Sequence, residues 1–318
     1  MTSEVFVVLP SYNHAPYIEK CLSSILGQTV HPKKLLVIDD GSTDGSPKII
    51  ENMLANCPFD SELIVRENRG LCATLNQGLS LSEGKYFAYL GSDDFWLPGF
   101  IEAREKLLEN NKNAVLGYGH AYFVDAEGDI FDSTIESNQD WTSHPYSNAR
   151  LLLLNGIAPI SSTVFYRRSA LAHVSWNEKS LLEDYEIYLK LLAFGDFAFD
   201  PTVLSAWRLH GKNASKNLVM MHDEVINAHD RGSKVFDIGE AEIRKVQTRI
   251  RFRQAQELLQ QGEKKAAIRL LRINWQGADS LSQVGKSLIH LVFPTALHAR
   301  YKTKKRANQI KKYRVKVI

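Results

Sequence analysis

Cysteine is scarce in this sequence: Cys21, Cys57 and Cys72 are the only three in 318 residues. Their spacing fits no metal-ligand pattern and their odd number argues against a disulfide framework, so a reducing cytosol is the expected setting. No GxGxxG follows the first strand-like run, where Leu9-Pro10-Ser11-Tyr12-Asn13-His14 stands instead, and no GxxxxGK[ST] occurs. A dinucleotide fingerprint and a P-loop are thereby excluded. HExxH and GxSxG are missing too, which removes the zinc-protease helix and the hydrolase nucleophile elbow. Long apolar runs are also absent. The best one, Leu281 to Ala299, contains Gln283, Lys286, His290, Pro294 and His298 and is too polar for a membrane span. Met1 to Glu4 lead straight into a strand-like run, so no signal peptide is expected.

What is present is an ordinary globular composition, 44% hydrophobic and 24% charged, long enough for one large domain with an appendage. The first hundred residues alternate two periodicities. Val5 to Leu9, Leu35 to Ile38, Leu63 to Val65 and Tyr86 to Leu90 are apolar runs of strand length. Between them, Tyr17 to Leu26 carries Ile18, Cys21, Leu22, Ile25 and Leu26 at helical spacing; helices are also expected from Ser46-Pro47, over Gly70 to Leu81, and after Pro98. Such alternation predicts an α/β fold with a mainly parallel central sheet. Further strands are expected over Val115 to Phe123 and Ser161 to Tyr166, and a helix over Leu181 to Ala193. From about His222 the chain reads as helical, with a hairpin over Gln254 to Asn274 broken at Gly262. The boundary is placed near residue 220, giving a domain of residues 1–220 and a helical region of residues 221–318.

The net charge of +3 conceals an asymmetry. Of 39 bases and 36 acids, 14 bases and one acid lie from Lys264 onward, which leaves 25 and 35 before it. A basic end on an acidic body suits an anionic partner. The apolar residues Leu288, Leu291, Val292 and Phe293, followed by Lys302 to Arg306 and Lys311 to Lys316, suit an anionic membrane surface at roughly 1 kcal/mol per base. A solvated tail is the alternative. Nucleic acid is not expected, because aromatics are few among the bases.

Two apolar runs end abruptly in paired acids: Val37-Ile38-Asp39-Asp40-Gly41-Ser42 and Tyr89-Leu90-Gly91-Ser92-Asp93-Asp94. Ligands of open α/β sheets bind at the carboxyl ends of strands. Adjacent like charges there need a cation or ordered donors to offset their repulsion. The plainer alternative is a set of turns with helix-capping acids. Glu183 and Asp184 open a helix, where its dipole favours negative charge.

Six segments occur in order: Pro10-Ser11-Tyr12-Asn13; Ile38 to Ser46; Glu67-Asn68-Arg69-Gly70 leading to Leu75-Asn76-Gln77-Gly78; Ser92 to Trp96; Glu183-Asp184; and His210-Gly211-Lys212-Asn213. Together they resemble glycosyltransferase family 2, across residues 4 to about 217. The resemblance implies a GT-A nucleotide-sugar fold and inverting transfer from a nucleoside-diphosphate sugar, usually UDP-linked, with Mn²⁺ or Mg²⁺. By that resemblance Pro10, Tyr12, Asn13, Asp39, Asp40, Asn68, Arg69, Asn76, Ser92, Asp93, His210 and Asn213 bind the nucleotide sugar. Tyr12 offers a ring for the base, and Asp40 an acceptor for the uracil imide N–H. Asp93, Asp94 and His210 match the metal-binding positions; Gly91 departs from the family, in which another Asp is frequent there. Asp184 matches the catalytic base, with Glu183 as the competing assignment. Ser215 lies near the loop that closes over the diphosphate. The expected acceptor is a glycan, lipid-linked, in surface polysaccharide synthesis, and the expected place is the cytoplasm, peripheral on the inner face of the plasma membrane. Two rivals stand beside this reading: a nucleotidyltransferase, which would want a Gly-rich basic loop after the first strand, and a non-catalytic adaptor tethered by the tail.

Overall fold

The computed structural model describes residues 2–137, 149–154, 157–211, 218–232, 239–292, 304 and 307–313. It opens with β1 (Val5–Ser11), α1 (Ala15–Leu26), β2 (Lys34–Asp39), α2 (Ser46–Leu54), β3 (Ser61–Val65), α3 (Leu71–Leu81) and β4 (Tyr86–Tyr89). There follow β5 (Phe95–Trp96), α4 (Phe100–Asn110), β6 (Ala114–Val124), β7 (Ile130–Ser133), α5 (Thr134–Ser137) and α6 (Ala149–Leu154). Then come β8 (Phe165–Arg167), α7 (Arg168–Leu171), α8 (Glu183–Leu191) and β9 (Asp196–Arg208). The chain continues with α9 (Leu218–Gly232), α10 (Glu240–Gln261), α11 (Lys264–Asn274) and α12 (Leu281–Val292).

The strands form one sheet in the order β3-β2-β1-β4-β8-β6-β9-β5, with β7 on β6. The expected parallel sheet is its first half: β1 pairs in parallel with β2 and β4, and β2 with β3. Beyond β4 the pairing is mixed. β8 is antiparallel to both β4 and β6, β5 is antiparallel to β9, and β6 and β9 run parallel. Successive strand residues point to opposite faces. Val5, Val7, Leu9, Leu35 and Val37 therefore meet α1, α2 and α4 through Ile18, Leu22, Ile50 and Phe100. Phe6, Val8, Leu36 and Ile38 meet α3 and α8 through Leu75, Ile187 and Leu191. Burial on both faces explains why these strands read as unbroken apolar runs.

Two strands escaped the sequence reading. β5 has two residues, and β9 is interrupted by Asp200-Pro201, where its register with β6 shifts. The segment expected as a strand from Ser161 begins with a 3₁₀ turn over Ser161–Thr163, before β8. Asp200 has a structural task. It binds the fully buried Arg104 guanidinium at 2.7 Å, and Arg104 Nε donates to the Thr163 carbonyl at 3.1 Å. Burial lowers the Arg104 pKa to about 10, so the group stays charged. Asp200→Ala would leave that charge buried without its partner. The expected loss in urea unfolding is about 3–5 kcal/mol; a loss under about 1 kcal/mol would show that the pair contributes little.

The hairpin expected over Gln254 to Asn274 is α10 and α11, separated at Gly262, although α10 starts earlier, at Glu240. Leu258, Leu259 and Ala267 pack with Leu270, Leu271 and Leu291. Leu291 is thus turned inward, whereas Leu288 and Ile289 of the same helix are 58% and 60% exposed. α9 straddles the expected boundary. Its Ile226 packs on Ile243, Val246 and Ile250 of α10, while Ala228, Met221 and Val225 join the core of the sheet. Among the described residues no helix is long and apolar enough to cross a membrane. Phe293, Lys302 and Lys316 lie outside the described residues.

Candidate active site

The carboxyl ends of β1, β2 and β4 open on one cleft of about 650 Å³, closed on the far side by the start of α8 and by α9. Its shape begins in the loops. Asp44 caps two helices at once, accepting from Ala15 N at 2.9 Å and Ser46 N at 3.1 Å. This ties the β1–α1 loop to the β2–α2 loop and favours both helix N-termini. Gly41 turns with φ +84°, and a Cβ there would stand 3.0 Å from Asn68 N.

Adjacent acids point to opposite sides of a strand end, and this separates Asp39 from Asp40. Asp39 is fully buried and accepts from Ser11 Oγ at 3.0 Å, Ser42 N at 2.8 Å and Ser42 Oγ at 2.7 Å. It shapes the loop and does not line the cleft. Asp40 does line it. Its Oδ1 accepts from Arg66 Nη2 at 2.8 Å and Arg69 N at 3.0 Å, and its Oδ2 from Gly70 N at 2.7 Å. A carboxylate has about four acceptor positions, so Oδ2 retains one for an incoming donor. Pro10, Tyr12, Asn68 and Ser92 also line the cleft, and Tyr12 is 49% exposed.

Two residues expected at the nucleotide sugar, Asn13 and Asn76, have side-chain polar groups engaged elsewhere, and a third, Arg69, turns its side chain to the surface. Asn13 has φ +53°, accepts from Thr43 N at 2.9 Å and donates its own N–H to Ser42 Oγ at 2.8 Å. Asn76 holds the Trp176 backbone through two bonds of 2.9 Å. The Arg69 side chain is exposed, and only its backbone N–H reaches Asp40. Asn213 and Ser215 lie outside the described residues.

The second acidic pair also divides. Asp94 Oδ1 accepts from the backbone N–H of Arg208 at 2.8 Å, so this carboxyl anchors the end of β9. Burial, then the neighbouring Asp93 charge, push it well above the usual carboxylate range. Asp93 Oδ2 accepts from His210 Nε2 at 3.0 Å, and its Oδ1 lies 4.0 Å from His14 Nδ1. Burial raises the Asp93 pKa, but the His210 bond and the adjacent His14 outweigh it and hold the carboxyl below its ordinary value. His14, Asp93 and His210 bring one ligand atom each within 4.8 Å of one another. Oxygen and imidazole donors at this spacing fit a divalent cation. Asp93 and His210 were expected here; His14 was not. Its only signal in the sequence was its place after the first strand. Gly91 leaves room for the cluster, because a Cβ there would come within 3.1 Å of Asp93 Oδ1. Arg208 stacks over the Tyr17 ring at 4.9 Å, and Tyr17 lies 4.8 Å from the His210 ring, which packs that imidazole in place.

Glu183 and Asp184 face this cluster from the first turn of α8. Burial, then the charge of Glu183, raise the Asp184 carboxyl well above the usual range; burial also raises Glu183. Tyr89 donates a long bond of 3.5 Å to Glu183 Oε1. The arrangement places a carboxylate able to accept a proton across a cleft from a cation site. Leu181, Met221, Val225 and Trp207 give the same cleft an apolar wall that motif reading had no means of finding.

The fold has solved counterparts. A Staphylococcus aureus TarS fragment in complex with UDP-GlcNAc superposes with a TM-score of 0.59 at 16% identity, covering 96% of this chain and 92% of that one. The Pyrobaculum calidifontis mannosyltransferase PcManGT, in complex with GDP-Man and Mn²⁺, gives 0.61 at 16% identity, covering 98% and 86%. These likenesses establish the GT-A architecture. In sequence, the chain is 29% identical over 212 residues to a chondroitin synthase of Escherichia coli, across 66% of this chain and 30% of that protein. The chain spans about a third of the length of the first curated relatives it matches. The sequence model of Glycosyl transferase family 2 matches residues 6–175, more than half of the length. The acids at the strand ends, the cleft they share and this match agree: the chain belongs to glycosyl transferase family 2.

Proposed function

We propose that this chain is an inverting glycosyltransferase that moves a sugar from a UDP-sugar to a hydroxyl of a glycan acceptor, lipid-linked, in surface polysaccharide synthesis. The observation that carries the reading is one cleft holding Tyr12 and Asp40 at one end, the His14–Asp93–His210 cluster in the middle, and Asp184 opposite. Tyr12 stacks on the base and the remaining acceptor position of Asp40 Oδ2 takes the imide N–H. Asp184 removes the proton of the acceptor hydroxyl as its oxygen attacks the anomeric carbon. The bond from that carbon to the diphosphate oxygen breaks on the opposite face, so the configuration inverts. A divalent cation, Mn²⁺ or Mg²⁺, held by Asp93 and His210 would neutralise the charge that develops on the departing nucleotide. The catalytic domain is placed at residues 1–220 and the helical region at 221–318, with α9 as the seam between them.

A screen of UDP-, GDP- and dTDP-sugars, with and without manganese, tests the reading; turnover of none of them would overturn it. Calorimetry tests the base pocket. UDP should bind better than GDP, and Tyr12→Ala should weaken UDP by about 1–3 kcal/mol. Equal affinity for the two nucleotides would reject a uridine site.

The basic end is assigned to an anionic membrane face. Binding to anionic vesicles should fall but persist as salt shortens the Debye length from about 10 Å at 0.1 M to about 3 Å at 1 M. The exposed Leu288 and Ile289 supply the part that salt does not screen. Truncation after Gly277 should abolish sedimentation with vesicles and spare donor hydrolysis. A truncated chain that still sediments would place the contact elsewhere.

A further inference from the structure

We infer that His14 is a direct third protein ligand of the cation, and that this makes the site selective for a transition-type divalent ion over Mg²⁺. The inference rests on the cation site of the proposed function, but it concerns a residue and a selectivity that the acidic motif alone does not imply.

Three observations support it. First, the spacing suits one ion. Ligand atoms about 2.1 Å from an octahedral cation lie about 3 Å apart when adjacent and about 4 Å apart when opposite. His210 Nε2 is 3.0 Å from Asp93 Oδ2, and His14 Nδ1 is 4.0 Å from Asp93 Oδ1. Second, both imidazoles are held by their surroundings. The His14 ring packs edge-on against His210 at 5.7 Å and against Tyr17 at 5.9 Å, and the His210 ring lies 4.8 Å from Tyr17. Ser92 Oγ, 2.7 Å from His14 Nδ1, gives up that nitrogen when the ion takes it. Third, Asp93 is the carboxylate that meets both histidines, whereas Asp94 turns Oδ1 to the Arg208 backbone.

The donor set is therefore two imidazoles and one carboxylate. Mg²⁺ prefers oxygen and keeps its waters, whereas imidazole favours the first-row transition ions. A site built only from aspartates would discriminate less. Asp93 supplies charge, and the two rings supply the preference.

The test needs no sugar donor. Mn²⁺ alone is titrated into the full chain and followed by electron paramagnetic resonance. Mn²⁺ should bind, and a hundredfold excess of Mg²⁺ should displace less than half of it. Pulsed spectra should show coupling of the bound ion to two imidazole nitrogens, falling to one in His14→Gln and one in His210→Gln. His14→Gln should weaken Mn²⁺ by at least about tenfold. Unchanged Mn²⁺ affinity in His14→Gln, a single coupled nitrogen in the unaltered chain, or displacement by equimolar Mg²⁺ would each overturn the inference. A thermal melt of His14→Gln separates ligand loss from unfolding. If that variant melts early, the nitrogen count in the unaltered chain still decides. A chain that binds Mn²⁺ through two nitrogens yet turns over no nucleotide sugar would sink the proposed function and leave this inference standing.

Discussion

Asp184→Asn should lower sugar transfer by about 10²- to 10⁴-fold while leaving donor binding intact. The amide keeps the shape of the side chain but cannot take a proton at neutral pH. The geometry makes the effect specific, because Asp184 stands in the first turn of α8 and lines the cleft. The pH dependence gives a second reading of the same group. Burial and the charge of Glu183 raise the Asp184 carboxyl well above its ordinary value. A base works only when ionised, so kcat/KM should fall as the pH drops through that raised value, well before an exposed aspartate near about 3.9 would protonate. Residual activity of Asp184→Asn should lose this acid limb. Normal transfer by Asp184→Asn together with loss in Glu183→Gln would move the assignment by one residue. The helix-dipole role open to both acids predicts only a small stability change, about 0.3–1 kcal/mol, and no change in the profile.

Excess EDTA should suppress transfer, and Asp93→Ala should lower it by at least about 10²-fold, the scale for removing a group that stabilises charge in the transition state. Asp93 carries the larger expected effect of the acidic pair, because it touches His210 and faces His14. Asp94→Ala should also lower the rate by at least about 10²-fold, but by a different route. Its carboxyl holds the Arg208 N–H at the end of β9, two residues before His210. Removing it leaves a buried donor unpaired, which costs about 1–3 kcal/mol for that group, and frees the segment that presents the imidazole. The two routes separate by a Mn²⁺ titration. Added metal should restore part of the Asp94→Ala rate and none of the Asp93→Ala rate. Full activity in excess EDTA would remove the metal from the proposed function altogether.

Much of the first half of the fold is legible in local pattern. β1, β2 and β4 are buried on both faces, so their apolar runs are unbroken, and each run stops where the strand meets the cleft. The helix α1 shows its buried stripe at Ile18, Cys21, Leu22 and Ile25. The second half is less legible because its strands are short or interrupted. β5 gains its stability from pairing with Ala206 and Ser205, more than a hundred positions away, and has no periodicity of its own. β9 tolerates Asp200-Pro201 because Arg104 binds the acid and the register slips there. No window of neighbouring residues contains either compensation.

The candidate site divides the same way. Which strand ends carry paired acids, and which helix begins with Glu183-Asp184, is written in the order of residues. So are the alternation that predicts an α/β sheet and the charge reversal from Lys264 onward. How the two acids of each pair are used is not, because adjacent side chains at a strand end diverge and only the packed loops decide which oxygens are consumed. Asp39 is taken by Ser11 and Ser42, leaving Asp40 to the cleft; Asp93 and Asp94 both line it, but Asp94 gives one oxygen to the Arg208 backbone while Asp93 meets His210. His14, Asp93 and His210 are remote in sequence. They meet because β1 pairs beside β4, and because β9 is led back past β5 so that its end reaches the Asp93–Asp94 turn. Strand order depends on long-range burial and hydrogen bonding across the whole sheet, so the partner of a residue can lie two hundred positions away, and only the tertiary structure brings the two side chains together.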